Sequence, residues 1–400
     1  MEERMNASVQ PAPVSETAAP LPVLFEQRAA GNGRRIGIAT LNAAATLNGL
    51  SLQMAGLLDE QLRLWAEDDA IALVVLQGAG EKAFCAGGDL HGLYRGMREY
   101  QAGGGGDIRN NHQASEFFRT EYRLDYRIHR YPKPLLCWGH GIVMGGGIGL
   151  MAGASHRVVS ERSRLAFPEI TVGLYPDVGG SWLLNRVPAR AGLFLALTGA
   201  PLNAGDAIYA GLADHHVPEA RRAAVLAQLS DEAWSCEADH DRQRLTALLQ
   251  AHSEPAPAGP LQQHAALIER LCEGEDLPSI VARIQALDGD DAWLTGAAKT
   301  LAAGAPGSAR LGFELQQRAA GLSLADTFRV EYLVSLHCAA HGDFAEGIRA
   351  LLIDKDRTPR WNPPTLEQAS AAWAQQFFIA PWPHGEHPLS DLGVSTEAHA

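Results

Sequence analysis

At 400 residues and 46% hydrophobic content the chain can bury a large core, as one large domain or as two or three smaller ones. Its 33 basic and 46 acidic residues give a formal net charge of −13, which opposes non-specific attraction to nucleic acid or to an anionic membrane surface. Only four of the basic residues are lysines (Lys82, Lys133, Lys299, Lys355) and no polybasic run occurs, so an anionic ligand would have to be held by a local site.

The first 22 residues, MEERMNASVQPAPVSETAAPLP, carry three glutamates and no apolar core long enough for a signal peptide; they read as a disordered leader, and the acidic residues argue against a transit peptide. Arg35 to Asn42 alternates like a strand, and Ser51 is placed to cap a helix with Met54, Leu58, Leu62 and Trp65 on one face. The run Ile71 to Leu76 is apolar at every position, as in a strand covered on both faces, and leads into the glycine loop Gly78-Ala79-Gly80. Gly103 to Gly106 reads as a flexible loop. A strand at Leu135 to Trp138, a glycine-dense turn over 139–149 and a strand at His156 to Val159 repeat the pattern, giving an α/β front that extends over residues 23–188.

Beyond Pro188 the composition turns helical, with Ala- and Leu-rich stretches at Ala189 to Thr198, Glu219 to Leu229 and Arg242 to Leu249, interrupted by a linker at Ser253 to Pro260. An amphipathic helix is expected around Leu366 to Phe378, closing a helical part of the same fold over 189–383, and residues 384–400 are expected to form a loose tail. No apolar run approaches the ~20 residues needed to span a bilayer. The five cysteines (Cys85, Cys137, Cys236, Cys272, Cys338) are scattered and lack a C-x-x-C pair, so neither a disulfide framework nor a thiolate zinc site is indicated; the reading expects a soluble protein of the reducing cytoplasm.

Several chemistries are excluded by absent motifs: there is no Gly-Lys pair for a P-loop, no H-E-x-x-H and no G-x-S-x-G. His384 and His387 have ligand-like spacing, but a solvated end is the better reading of them than a metal site. Gly145-x-Gly147-x-Gly149 falls one position short of a dinucleotide fingerprint. What remains are two glycine-rich turns, each after a strand: Ala83 to Asp89 and Gly141 to Gly147. Glycine lets a backbone approach a ligand closely, and two amides aimed at one oxygen make an oxyanion hole, although either turn alone is more simply a tight turn. Downstream, Glu169 and Asp177 sit in the apolar, turn-rich stretch Phe167 to Gly180, where burial would raise their pKa values and suit them to acid, base or nucleophilic work; either could equally cap a helix or pair with a cation.

Taken together and in this order, C-A-G-G-D-L and H-G-I-V-M-G-G-G-I-G-L resemble the enoyl-CoA hydratase/isomerase (crotonase) superfamily, over about Leu24 to Gln375. Within it, P-E-I-T-V-G-L-Y-P-D-V-G-G, F-F-R-T-E-Y-R-L and the stretch from Asp343 to Pro363 are most similar to the 3-hydroxyisobutyryl-CoA hydrolases. The resemblance implies an α/β crotonase-type spiral of repeated ββα units with a C-terminal helical region, assembling as trimers or pairs of trimers. It implies an acyl-CoA substrate, no metal or redox cofactor, and no nucleic-acid or membrane partner. The amides of Gly88 and Gly146 would hold the thioester oxygen, Glu169 and Asp177 would be the catalytic acids, and Glu121 would contact the substrate. The implied reaction is hydrolysis of a short branched 3-hydroxyacyl-CoA of the kind formed in valine breakdown. The hydratases carry a second glutamate three residues after the oxyanion glycine; here that position is Gly149, which counts against hydration or isomerisation, the alternative within the superfamily. A non-catalytic acyl-CoA-binding protein is the other alternative. It is favoured only by Leu41-Asn42-Ala43-Ala44-Ala45, where the family usually continues L-N-R-P-K, which leaves the CoA phosphates to Lys82 or to arginines elsewhere.

Overall fold

The computed structural model describes residues 21–383 and 385–394. The expected leader lies almost wholly outside them, as do His384 and the last six residues of the expected tail. Among the described residues nine strands form two sheets: β1 (Val23–Ala29), β2 (Arg35–Leu41), β3 (Ile71–Gly78), β4 (Ala83–Cys85), β5 (Leu135–Gly139), β6 (Ile142–Met144), β7 (His156–Val159), β8 (Arg164–Ala166) and β9 (His215–His216). The larger sheet has the order β1-β2-β3-β5-β7-β9, antiparallel at β1/β2 and parallel elsewhere; the smaller, β4-β6-β8, is parallel throughout. From β3 onward successive strands alternate between the sheets, β3, β5 and β7 in one and β4, β6 and β8 in the other, and this alternation is the spiral of ββα units that the sequence implied.

The helices of the front are α1 (Leu52–Glu67), α2 (Leu90–Ala102), α3 (His112–His129), α4 (Gly146–Ala152) and α5 (Gly180–Leu184). Ser51 caps α1 as expected, its hydroxyl accepting from Met54 N–H at 3.2 Å, and Met54, Leu58, Leu62 and Trp65 are all buried. Asn48 ties the end of β2 to the start of β4: its side chain accepts from Ala43 N–H and donates to the carbonyls of Ala79 and Ala83, at 2.9, 3.0 and 3.0 Å. Buried apolar side chains from Ile71 to Leu76 leave β3 covered on both faces, which is why its pattern does not alternate.

Several expectations change in the folded chain. The stretch expected to be helical from Ala189 begins only at Ala191, because Ala189 and Arg190 adopt left-handed φ values of 55° and 54°. The expected helix over Leu366 to Phe378 shortens to Ala371–Gln375 and a 3₁₀ turn, since the Ser370 hydroxyl caps it at Trp373 N–H. Residues 385–394, expected to be loose, pack on the long helix Leu324–His341 and on α3: Leu389 is fully buried, Asp391 pairs with Arg123 of α3 at 2.6 Å, and both ring nitrogens of His387 are committed, to Arg329 C=O and Leu389 N–H. The back half also contributes a strand, β9, to the large sheet.

Gly37, in the middle of β2, lies directly beneath the Trp65 indole, where an added Cβ would stand 2.8 Å from the ring. Gly37→Ala is therefore expected to lose about 1–3 kcal/mol of stability in urea unfolding by forcing the ring or strand to move; unchanged stability would contradict this packing.

Candidate active site

The two glycine turns meet where the sheets spiral together. In the first, Leu50 holds the chain on both sides of Gly88, donating to Gly87 C=O at 2.8 Å and accepting from Asp89 N–H at 2.9 Å, while Asp89 caps α2 through Gly92 N–H at 3.0 Å. Gly87 has φ 110°, a conformation that favours glycine. In the second, Gly145 (φ 49°) turns the chain into α4, whose first residue is Gly146. A Cβ added at Gly146 would lie 3.6 Å from the Gly88 nitrogen, so the two backbones are close neighbours. No acceptor among the described residues takes the N–H of Gly88 or of Gly146; the first N–H groups of a helix have no partner of their own.

Carboxylates fill the space that side chains in these turns would need. A Cβ at Gly146 would collide with Glu121 Oε1, and one at Gly145 would stand 3.0 Å from Glu169 Oε1. Glu121 comes from α3, and Glu169 opens a 3₁₀ turn whose carbonyl accepts from Val172 and Leu174, each at 3.0 Å. Asp177 follows on the same segment, with one oxygen accepting from the Tyr122 hydroxyl at 2.7 Å. The chain then passes through two left-handed residues, Val178 (φ 53°) and Gly179 (φ 80°). A β-branched residue in that region is strained, and the strain is contained by Glu331 of the Leu324–His341 helix, which accepts from Gly179 N–H at 2.7 Å and Ser181 N–H at 3.0 Å.

The sequence-predicted residues Gly88, Gly146, Glu121, Glu169 and Asp177 are thus brought together, and the folded chain adds two acids that sequence reasoning missed, Asp125 and Glu331. All five carboxylates are at most 5% exposed, and among the described residues no lysine or arginine faces any of them. Burial, reinforced by the neighbouring acids, pushes Glu121, Asp125 and Glu169 well above the usual carboxylate range and Glu331 up to about 8. Asp177 is raised less, to about 6, because the Tyr122 hydrogen bond opposes the effect of burial. Two surface cavities, of about 670 and 300 Å³ and both walled by His129, Trp182 and Arg186, include none of the five acids. The geometry and chemistry of the glycine turns, not cavity size, single out the site.

Asp125 lies one helical turn beyond Glu121 on α3. Neither of its oxygens has a hydrogen-bond partner among the described residues, and Oδ2 would be 2.6 Å from a Cβ added at Gly149, with Val178 Cβ at 2.8 Å from the same point. The i, i+4 spacing of Glu121 and Asp125 was the available signal, but it becomes visible only once residues 112–129 are read as a helix.

The model of the enoyl-CoA hydratase/isomerase family matches residues 36–378, and the chain belongs to that family. It is 36% identical to the 3-hydroxyisobutyryl-CoA hydrolase, mitochondrial, of Danio rerio, over 89% of each chain, and 32% identical to the human protein of the same name, over 84% of this chain and 83% of that one. Among solved structures it resembles an enoyl-CoA hydratase from Rhodobacter sphaeroides (TM-score 0.77, 36% identity, 90% of this chain and 98% of that one). It is equally similar to a carnitinyl-CoA dehydratase from Mycobacterium thermoresistibile (TM-score 0.78, 36% identity, 90% and 97%). The expected cytoplasmic location does not stand beside relatives named as mitochondrial. All five cysteines are free.

Asp125→Asn gives a stability test with a definite sign. A carboxyl whose folded pKa is raised above its unfolded value of about 3.9 must hold a proton or bury a charge as pH rises, so it subtracts stability progressively above that pH. The wild type and Asp125→Asn should be similar near pH 4. Above it, the variant should gain by as much as about 1.4 kcal/mol per pH unit, until the folded pKa is passed. A stability difference independent of pH, measured by urea unfolding, would contradict the burial of an unpaired acid here.

Proposed function

We propose that the chain hydrolyses the thioester of a short branched 3-hydroxyacyl-CoA of the 3-hydroxyisobutyryl-CoA class. The observation that carries this reading is the filling of position 149. Two-carboxylate hydration needs a second glutamate there beside Glu169, and the space its Cβ would enter is occupied by Asp125 and Val178. The names of the curated relatives support the same substrate class.

In this reading the thioester oxygen is received by the N–H groups of Gly88 and Gly146, whose dipoles meet the charge that develops when the carbonyl is attacked. Glu169, once it has lost its proton, attacks the carbonyl carbon; the carbon–sulfur bond breaks, CoA leaves as the thiolate and takes up a proton, and water opens the resulting mixed anhydride. The same residue can instead take a proton from water as that water attacks, with the same bonds broken overall. Asp177 holds the substrate hydroxyl or orients Glu169 and the water, and Glu121 lines the acyl group. The oxyanion charge is met by backbone dipoles, so the mechanism calls on no metal or redox cofactor. Because burial holds Glu169 well above the usual carboxylate range and the reaction uses its ionised form, activity should keep rising with pH beyond that range.

A second reading, hydration of an enoyl-CoA, is favoured by the similarity to the enoyl-CoA hydratase of Rhodobacter sphaeroides. Rates on one preparation distinguish the two. Thiol release from 3-hydroxyisobutyryl-CoA should exceed loss of enoyl absorbance from crotonyl-CoA, and it should increase from pH 6 to pH 8. Faster hydration than thiol release would overturn the proposal.

A further inference from the structure

Asp177 lies at one end of a cluster of buried, hydrogen-bonded hydroxyls contributed by Tyr175, Ser335 and Tyr122. The Tyr175 hydroxyl lies 2.7 Å from Glu331 C=O and 2.8 Å from Ser335 Oγ. Ser335 Oγ is in turn 2.8 Å from the Tyr122 hydroxyl, which donates to Asp177 Oδ2 at 2.7 Å. All four side chains are buried, Tyr122, Tyr175 and Ser335 completely. The polarity of the chain follows from counting hydrogens. An ionised carboxylate only accepts, so the single phenolic hydrogen of Tyr122 is committed to Asp177. The contact between Ser335 and Tyr122 can then be filled only with Ser335 donating. Ser335 donates to Tyr122 and Tyr122 to Asp177, so these two donors point at Asp177 and the second is strengthened by the bond it accepts, while the single hydrogen of Tyr175 goes to Glu331 C=O.

We infer that Tyr122 is a positioning residue for the hydrolysis, its hydroxyl held by Ser335 and aimed so as to fix the Asp177 carboxylate in one orientation and in its ionised form. This rests on the proposed function only in giving Asp177 work to do on the substrate. The groups facing Asp177 otherwise oppose its charge: Glu121 and Asp125 from α3, Glu169 from its own segment, and Glu331 from the Leu324–His341 helix. Cys338, from the same helix, adds no cation, its thiol being pushed up by burial. Tyr122 is the side chain that donates a hydrogen bond to Asp177. Its hydroxyl is also well placed to be kept as a neutral donor, since burial and Asp177 raise its pKa well above the usual phenolic value.

The test removes the hydroxyl and keeps the ring. In the full chain, labelled with γ-¹³C aspartate and free of substrate, the Asp177 carboxyl resonance is assigned by its disappearance in Asp177→Asn and titrated in the wild type, Tyr122→Phe and Ser335→Ala. The wild-type midpoint is expected near 6, above the ordinary aspartate value because the carboxyl is buried. Losing a hydrogen bond to a charged group should move the midpoint up by about one pH unit or more in Tyr122→Phe, and by less in Ser335→Ala. In turnover of 3-hydroxyisobutyryl-CoA, a one-unit shift is a roughly tenfold loss in kcat/KM at pH values below both midpoints, and the loss should close as pH rises above them. A merely structural defect would not close in this way. An unchanged Asp177 midpoint in folded Tyr122→Phe overturns the inference; if that variant does not fold, an unchanged midpoint in Ser335→Ala overturns it. The titration is read without substrate, so it stands apart from the outcome for the proposed reaction, which fails separately if the wild type releases no thiol.

Discussion

Five carboxylates are enclosed in and behind the two glycine turns, with no lysine or arginine among the described residues to neutralise them, and much of the site's architecture follows from that arrangement. An unpaired charge in such a place is far too costly to multiply, so most of these acids must carry protons at rest. The glycines are needed for the same reason. Glu121, Asp125 and Glu169 occupy the positions where side chains at 146, 149 and 145 would go, and the backbone can come that close to the acids only without a Cβ. The left-handed Val178, clamped through its neighbours by Glu331, and the hydroxyl chain ending on Asp177 belong to the same assembly, since each fixes an acid or the turn that carries one.

The similar proteins carry different reaction names: the fold is shared with an enoyl-CoA hydratase and a carnitinyl-CoA dehydratase, while other relatives of comparable identity are named hydrolases. Fold alone does not choose between these reactions; side chains at a few positions do. In this chain the informative position is 149, where the absence of a glutamate is matched by occupation of the space from the neighbouring helix and from Val178. A glutamate could not be restored there by substitution at 149 alone.

What could be read in the sequence was what is local. The glycine turns and the Glu169 to Asp177 segment each fit within a dozen or so residues, and their order along the chain pointed to the family and its spiral of alternating strands. The supporting layer was not legible because its contacts join distant segments. Ser335 meets Tyr122 across 213 positions, and Glu331 reaches Gly179 across 152. Asp125 looked like one more polar residue in a charged stretch until α3 turned it inward. Local conformation misled at Ala189 and Arg190, whose composition is helical but whose backbone is left-handed, and in 385–394, where Leu389 and Leu392 are too few to announce themselves as core.

The central claim is that Glu169 performs the chemistry, beginning from a protonated, buried state. Glu169→Gln tests it most directly, because glutamine has the shape and neutrality of the protonated acid and should leave the surrounding packing undisturbed. Under conditions where wild-type enzyme releases thiol from 3-hydroxyisobutyryl-CoA, the folded variant should lose at least about 10²-fold in kcat while retaining substrate binding. Turnover near the wild-type rate would contradict the account and pass the catalytic role to another of the buried acids.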